Sequence, residues 1–425
     1  MSNAPRVERG AGGLRVVCEN MPAARSVALG VWIGVGSRFE QVSESGVSHF
    51  LEHLLFKGTP RFDAREIAEV FDGLGGEINA ATSRDYTVVY VRVLDEHAGR
   101  ALEVVADMIQ RPAFTDLDRE RDVVLEEIAM YEDEPQDLVH DMAISAVYPE
   151  QPLGRPVIGT TDVISVVPEA DMRAYHGRHY RAPNVVVAGA GGISPERLVE
   201  ISSELFGHLT DAGRAAMIEA AESGEPHLLL REKSTEQYHL CVAGPGVSRD
   251  DPRRHAQSVL DTIIGGSMSS RLFQEIREKR GLVYSVGSYT MGFADTGLLG
   301  VYLGTREESL AEACDILGRE LERIAAEPVP GDELRRAKEH IKGRIVLSLE
   351  SPATRMNRIG RAVVSETELL TVDELLARVD AVSAEDVLEL AASLWHPSKL
   401  SAAAIGPRGV IVESALTPRF GHLIA

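Results

Sequence analysis

The chain has 425 residues, enough for roughly two or three ordinary domains, and its 44% apolar and 26% charged side chains exclude a disordered or fibrous protein. Its 44 Lys and Arg against 65 Asp and Glu leave a formal net charge of -21, which repels nucleic acid and anionic lipid surfaces and favours cationic or extended polypeptide partners. The three cysteines, Cys18, Cys241 and Cys314, are too few and too far apart for a disulfide framework or a thiolate metal site, and they point to a reducing compartment.

At the N-terminus no apolar run reaches signal-peptide length. No later window approaches the roughly eighteen apolar residues of a membrane span, so a cytoplasmic protein is expected. Arg6 and Arg9 would suit a transit peptide, but Glu8 and the strand-like residues 14–17 argue against one. An apolar strand follows over residues 26–34, and then a helix carrying VSHFLEHLLFKGT.

That run contains His49, Glu52 and His53. Residues four apart lie one above the other on a helix, so both imidazoles reach one ion while Glu52 stands beside them. A carboxylate there can accept a proton from water at the metal, as in the His-Glu-x-x-His helix with its elements in reverse order. Ser48 or Ser45 is expected to cap the helix start, and Gly58-Thr59-Pro60 to stop it. The bland alternative is a buried histidine pair beside a surface glutamate.

Two β-rich runs within residues 77–93 lead to an acidic helix at 120–131. At 100° per residue, Val123, Val124, Ile128 and Tyr131 form its apolar stripe, and Glu127 falls within the stripe while Glu126 does not. An acidic side chain that faces inward requires a partner. Glu127 is therefore the expected third ligand of one zinc ion per chain, leaving an open position for water. Glu120, seven residues earlier, points nearly the same way and suits an orienting role toward a histidine or the ligand carboxylate. Pairing of both glutamates with arginines inside the domain is the competing expectation.

Past a breaker-rich stretch at 210–225 the plan repeats, with an apolar strand at 238–243, a helix, two β-rich runs and another helix. Three anchors coincide: Asp116 with Asp332, Asp171 with Asp386 and Pro183 with Pro397, at offsets of 216, 215 and 214. The expectation is an α+β protein of two similar domains related by internal duplication, residues 1–215 and 225–425. The second half has no His-x-x-Glu-His near residues 265–271, so only the first can hold metal.

With these features the chain resembles the pitrilysin/insulinase family of inverted-motif zinc metallopeptidases, and most its short members similar to the mitochondrial processing peptidase. The resemblance covers nearly the whole chain, through HFLEHLLFKGT, GGEINAATSRDYTVVYV, ERDVVLEEIAMYEDEP, PLGRPVIGT and GGSMSSRLFQEIREKRGLVYSV. The family's distal glutamate about 75 residues after the second histidine is met by the 74 positions from His53 to Glu127.

The resemblance implies a zinc endopeptidase for extended or unfolded polypeptides, with Glu52 as general base, Arg277 on a substrate carbonyl and Tyr284 as donor to the oxyanion. It implies that Asn79, Ala80 and Ala81 lie on an edge strand that receives substrate backbone, although an interior hairpin strand would read the same. Phe56 is expected either beside the scissile bond or in the core. Members of this length close face to face with a second chain, each a clamshell half of a chamber. Because this chain carries both the zinc motif and the Arg277/Tyr284 pair, a homodimer is expected. The rival expectations are a non-catalytic structural subunit of the same fold and a catalytic half that requires an unlike partner.

Overall fold

The computed structural model describes residues 5–10, 13–207, 209 and 220–424. They fall into two compact units. Of the breaker-rich stretch at 210–225, residues 210–219 lie outside the described residues. No helix among the described residues is long and apolar enough to cross a membrane.

Unit 1 is built on a six-stranded sheet of β1 (Arg6–Arg9), β2 (Arg15–Asn20), β3 (Ser26–Ile33), β4 (Glu77–Thr82), β5 (Thr87–Leu94) and β6 (Val185–Gly191), in the order β1-β2-β6-β3-β5-β4. Only β2 and β6 run parallel. Unit 2 has β7 (Leu228–Glu232), β8 (Tyr238–Gly246), β9 (Val283–Gly292), β10 (Gly297–Thr305) and β11 (Ser401–Gly406), in the order β7-β11-β8-β10-β9. Again one pair is parallel, β7 with β11. Apart from β1, the two sheets share order and strand direction, as the duplicated plan requires. A parallel pair needs a long crossover, and in both units the intervening chain supplies most of the helices.

Alternate residues of a strand point to opposite faces, and β3 serves two cores by that alternation. Val27, Leu29, Val31 and Ile33 pack with α1 (Val47–Leu55), α2 (Ala64–Gly73), α3 (Ala98–Gln110) and the first part of α4 (Leu117–Asp133). Ala28 and Trp32 face the other way, toward Met356, Ile359 and Val363 of the helix Pro352–Val364. Both sheet faces are covered, which explains why SVALGVWI reads as a continuous apolar run.

That second cover comes from the far half of the sequence. Unit 1 comprises the described residues of Met1–Ala129, Pro156–Glu219 and Val346–Thr371; unit 2 comprises those of Met130–Arg155, Ala220–Ile345 and Val372–Ala425. The helix Pro352–Val364 thus belongs to unit 1, fastened by Arg355 and Arg358 to Glu19. Reciprocally, α5 (Pro135–Val147) belongs to unit 2, where Val139, Ala143, Ile144 and Val147 pack with Cys241, Ala243, Ala403 and Ile405. Each half of the sequence therefore gives one helix to the unit built mainly from the other. Gly360 permits the close approach in unit 1, because a Cβ there would stand 2.2 Å from Trp32 Nε1.

Candidate metal centre

Helix α1 begins without help from Ser45 or Ser48. Its first residue follows Gly46, which has a φ of 93° and no side-chain cap. The capping group is instead the buried carboxylate of Glu40, which accepts from Gly46 N at 2.8 Å and Ser48 N at 2.7 Å. A negative charge suits the positive end of the helix dipole. The Ser48 hydroxyl bonds sideways to Tyr175 at 2.8 Å. Gly159, from the PLGRPVIGT run, packs so closely on Gly46 that a Cβ on either would overlap the other's Cα at 2.5 to 2.7 Å.

Val47, Phe50, Leu51, Leu54 and Leu55 bury one side of α1, which turns His49, Glu52 and His53 partly outward. Helix α4 supplies the opposing wall. Its buried residues are Glu120, Val124 and Ile128. Val123, expected in the apolar stripe, is 46% exposed, because the helix lies on the narrower Glu120–Val124–Ile128 line. Glu126 is exposed, and Glu127, at 46% side-chain exposure, faces the histidines from the margin of the buried strip.

The three ligand candidates converge. Glu127 Oε2 lies 3.8 Å from His49 Nε2 and 3.4 Å from His53 Nε2, and the two imidazole rings stand 4.7 Å apart. One donor atom from each residue lies within 4.8 Å of the others, and this is the only such cluster of His, Cys, Asp or Glu among the described residues. Burial, then the neighbouring His53, pushes the His49 imidazole down to about 4, so at neutral pH it carries a free lone pair, the form a metal needs. Two imidazole nitrogens and one carboxylate oxygen fit a zinc ion with one position left open.

Around this triad stand residues of two kinds. Glu120 turns one oxygen to His53 Nδ1 at 2.9 Å and the other to Lys57 Nζ at 2.6 Å, rather than to an arginine. Glu52 receives the hydroxyl of Thr82 on Oε2. Burial raises its carboxyl above the ordinary carboxylate range, with the Thr82 bond and His53 pulling back. Neither Lys57 nor Thr82 could be singled out from the sequence, since each contact joins segments with no common pattern. Phe56 is half-buried and packs against the core of unit 1.

Asn79, Ala80 and Ala81 lie on β4, the terminal strand of the unit 1 sheet, with Asn79 and Ala81 exposed. Thr82 ends the same strand, so the sheet edge runs up to Glu52. In unit 2, Arg277 stands over two rings, 4.8 Å from the centroid of Phe273 and 5.5 Å from that of Tyr284, and Tyr284 is 78% exposed. Arg271 of unit 2 is spent on Glu333 in a two-pronged ion pair of 3.0 and 2.8 Å.

Comparison with known proteins agrees over both halves. The family described as insulinase (peptidase family M16) matches residues 15–161, and the peptidase M16 inactive domain matches residues 167–341. A Streptomyces coelicolor protein named an uncharacterized zinc protease is 42% identical over 407 residues, covering 93% of this chain and 88% of its own. The Bacillus subtilis protein named uncharacterized zinc protease YmxG is 42% identical over 399 residues, covering 93% of this chain and 97% of its own. Among solved structures, a peptidase M16 inactive domain from Pseudomonas fluorescens superposes with a TM-score of 0.88 at 24% identity, over 95% of this chain and 98% of the other. On the strength of these matches, the chain belongs to the insulinase family, peptidase family M16.

Proposed function

We propose that the protein is a zinc-dependent endopeptidase that hydrolyses peptide bonds in extended or unfolded polypeptides. The observation that carries this reading is the convergence of His49, His53 and, from α4, Glu127 on one point, with Glu52 beside the two histidines on α1. The names of the bacterial relatives, zinc proteases at 42% identity, support the same chemistry.

His49, His53 and Glu127 would hold one zinc ion, which supplies Lewis acidity and brings the pKa of a water down to about 7. Glu52 acts as the base. Its Oε2 is engaged by Thr82, so Oε1 takes the proton from the attacking water and returns it to the leaving amine. A carboxyl raised by burial is a better base than an exposed one, because its anion is less well solvated. The outer edge of β4 can receive a substrate strand by main-chain hydrogen bonds, which asks little of its sequence. By the family spacing, Tyr284 donates to the developing oxyanion and Arg277 holds a substrate carbonyl. The same reading makes the working form a cytoplasmic homodimer.

A mixed peptide library digested with and without a chelator, and read by mass spectrometry, tests the assignment. Cleavage that stops with the chelator and returns with zinc is expected. Cleavage indifferent to both would reject a metal-dependent enzyme.

A further inference from the structure

The two histidines are supported differently. His49 Nδ1 is buried without a hydrogen-bond partner, whereas His53 Nδ1 meets Glu120 Oε1 at 2.9 Å. The second oxygen of Glu120 lies 2.6 Å from Lys57 Nζ. Glu120 is only 5% exposed in its side chain, and Lys57 is its one ion-pair partner besides His53 among the described residues. Lys57 itself sits on pinned backbone. Its N–H donates to Leu54 O at 3.1 Å, and its carbonyl accepts the Thr115 hydroxyl at 2.7 Å, just before α4 begins.

A carboxylate engaged at both oxygens cannot turn about its last side-chain bond, and an imidazole bonded at Nδ1 cannot flip or change tautomer without breaking that bond. We propose that Lys57 is a positioning residue of the metal centre, holding Glu120 so that Glu120 aims His53 Nε2 at the ion. Lys57 touches neither the ligands nor the reacting atoms. Without its ammonium, a buried carboxylate oxygen would lose its charged partner, and Glu120 would turn toward another donor or toward water.

The sign of the effect separates positioning from simple charge. Removing a cation near a metal ion should tighten zinc binding by Coulomb's law alone, whereas removing a support of His53 should weaken it.

The inference rests on the zinc site proposed above, and the parent protein is the control for that site. Zinc affinity would be measured by chelator competition for the parent, Lys57→Met, Lys57→Arg, Glu120→Gln and the Lys57→Met/Glu120→Gln double variant. The visible spectrum of each cobalt-substituted form would be recorded in parallel. Lys57→Met is expected to weaken zinc about tenfold and to change the cobalt spectrum, and Lys57→Arg to restore both. The double variant is expected to bind no worse than Glu120→Gln alone, because Lys57 acts through Glu120. Parent-like or tighter zinc binding by Lys57→Met, or losses that multiply in the double variant, would overturn the role of Lys57 while leaving the site intact. A parent that binds no zinc would overturn the site first, and the inference with it.

Discussion

Thr82, the last residue of the edge strand β4, donates its hydroxyl to the Glu52 carboxylate on α1. One bond thus joins the strand proposed to receive substrate to the group proposed to move the proton. Thr82→Val keeps the shape and deletes the donor, leaving Glu52 Oε2 without its partner. Deleting the bond also removes a pull that lowers the Glu52 carboxyl, which alone would make a better base, so a fall in kcat would come from lost positioning; about tenfold is expected, with zinc content at the parent level. Steady-state kinetics with metal analysis would check this. Parent-like kcat would mean that the bond does not position the base.

His53→Ala should lose zinc, because two nitrogens and one oxygen leave no redundancy among the ligands. Elemental analysis of the purified variant would read this directly. Full occupancy would show that the ion sits elsewhere. The same substitution also frees one oxygen of Glu120, so some loss of thermal stability should accompany the loss of metal.

Stability should decline in acid for a reason present in each unit. Burial first, and then arginine neighbours, push His179 in unit 1 and His255 in unit 2 down from 6.5 to about 4. Between those values the unfolded chain takes up a proton that the folded one refuses, so stability is complete above about pH 6.5 and is lost as pH falls toward about 4. Melting temperatures between pH 7 and 4.5 should fall less steeply for His255→Gln than for the parent. Equal slopes would remove His255 from the account.

Much of this architecture is legible in the sequence. The four-residue spacing of His49 and His53 puts both on one side of α1, and the phase of Glu127 on α4 puts it opposite them. The offsets between the halves correspond to a shared strand order and a single parallel pair in each sheet. The exchange of helices is not legible, because the apolar stripes of α5 and of residues 352–364 say that each covers a sheet but not which one. Nor is Glu40 legible as the cap of α1, since it reaches the helix from six residues before Gly46 across the short helical turn Val42–Glu44. Side-chain oxygens near the helix start in sequence were the obvious candidates, and a longer carboxylate arriving from farther away displaced them.

Access should govern substrate choice. A strand laid along the β4 edge must be unfolded where it binds, so a stably folded protein should survive while its denatured form, with the same cleavable sequence, is cut. Light scattering should give twice the chain mass of 46.1 kDa. Tyr284→Phe should lower kcat far more than it raises KM. A monomer that cuts folded and unfolded forms alike would contradict the access argument, and unchanged turnover in Tyr284→Phe would remove the oxyanion role alone.

The most direct test of the whole account is the activity of Glu52→Gln loaded with zinc. The amide keeps the size of the side chain and can still meet the Thr82 hydroxyl through its carbonyl oxygen, but it cannot take a proton. Removing a general base typically costs about 10² to 10⁴-fold in rate. The variant should therefore bind zinc and peptide like the parent and turn over at least about a hundredfold more slowly. Turnover within about tenfold of the parent, with zinc fully bound, would contradict the assignment of Glu52 as the base.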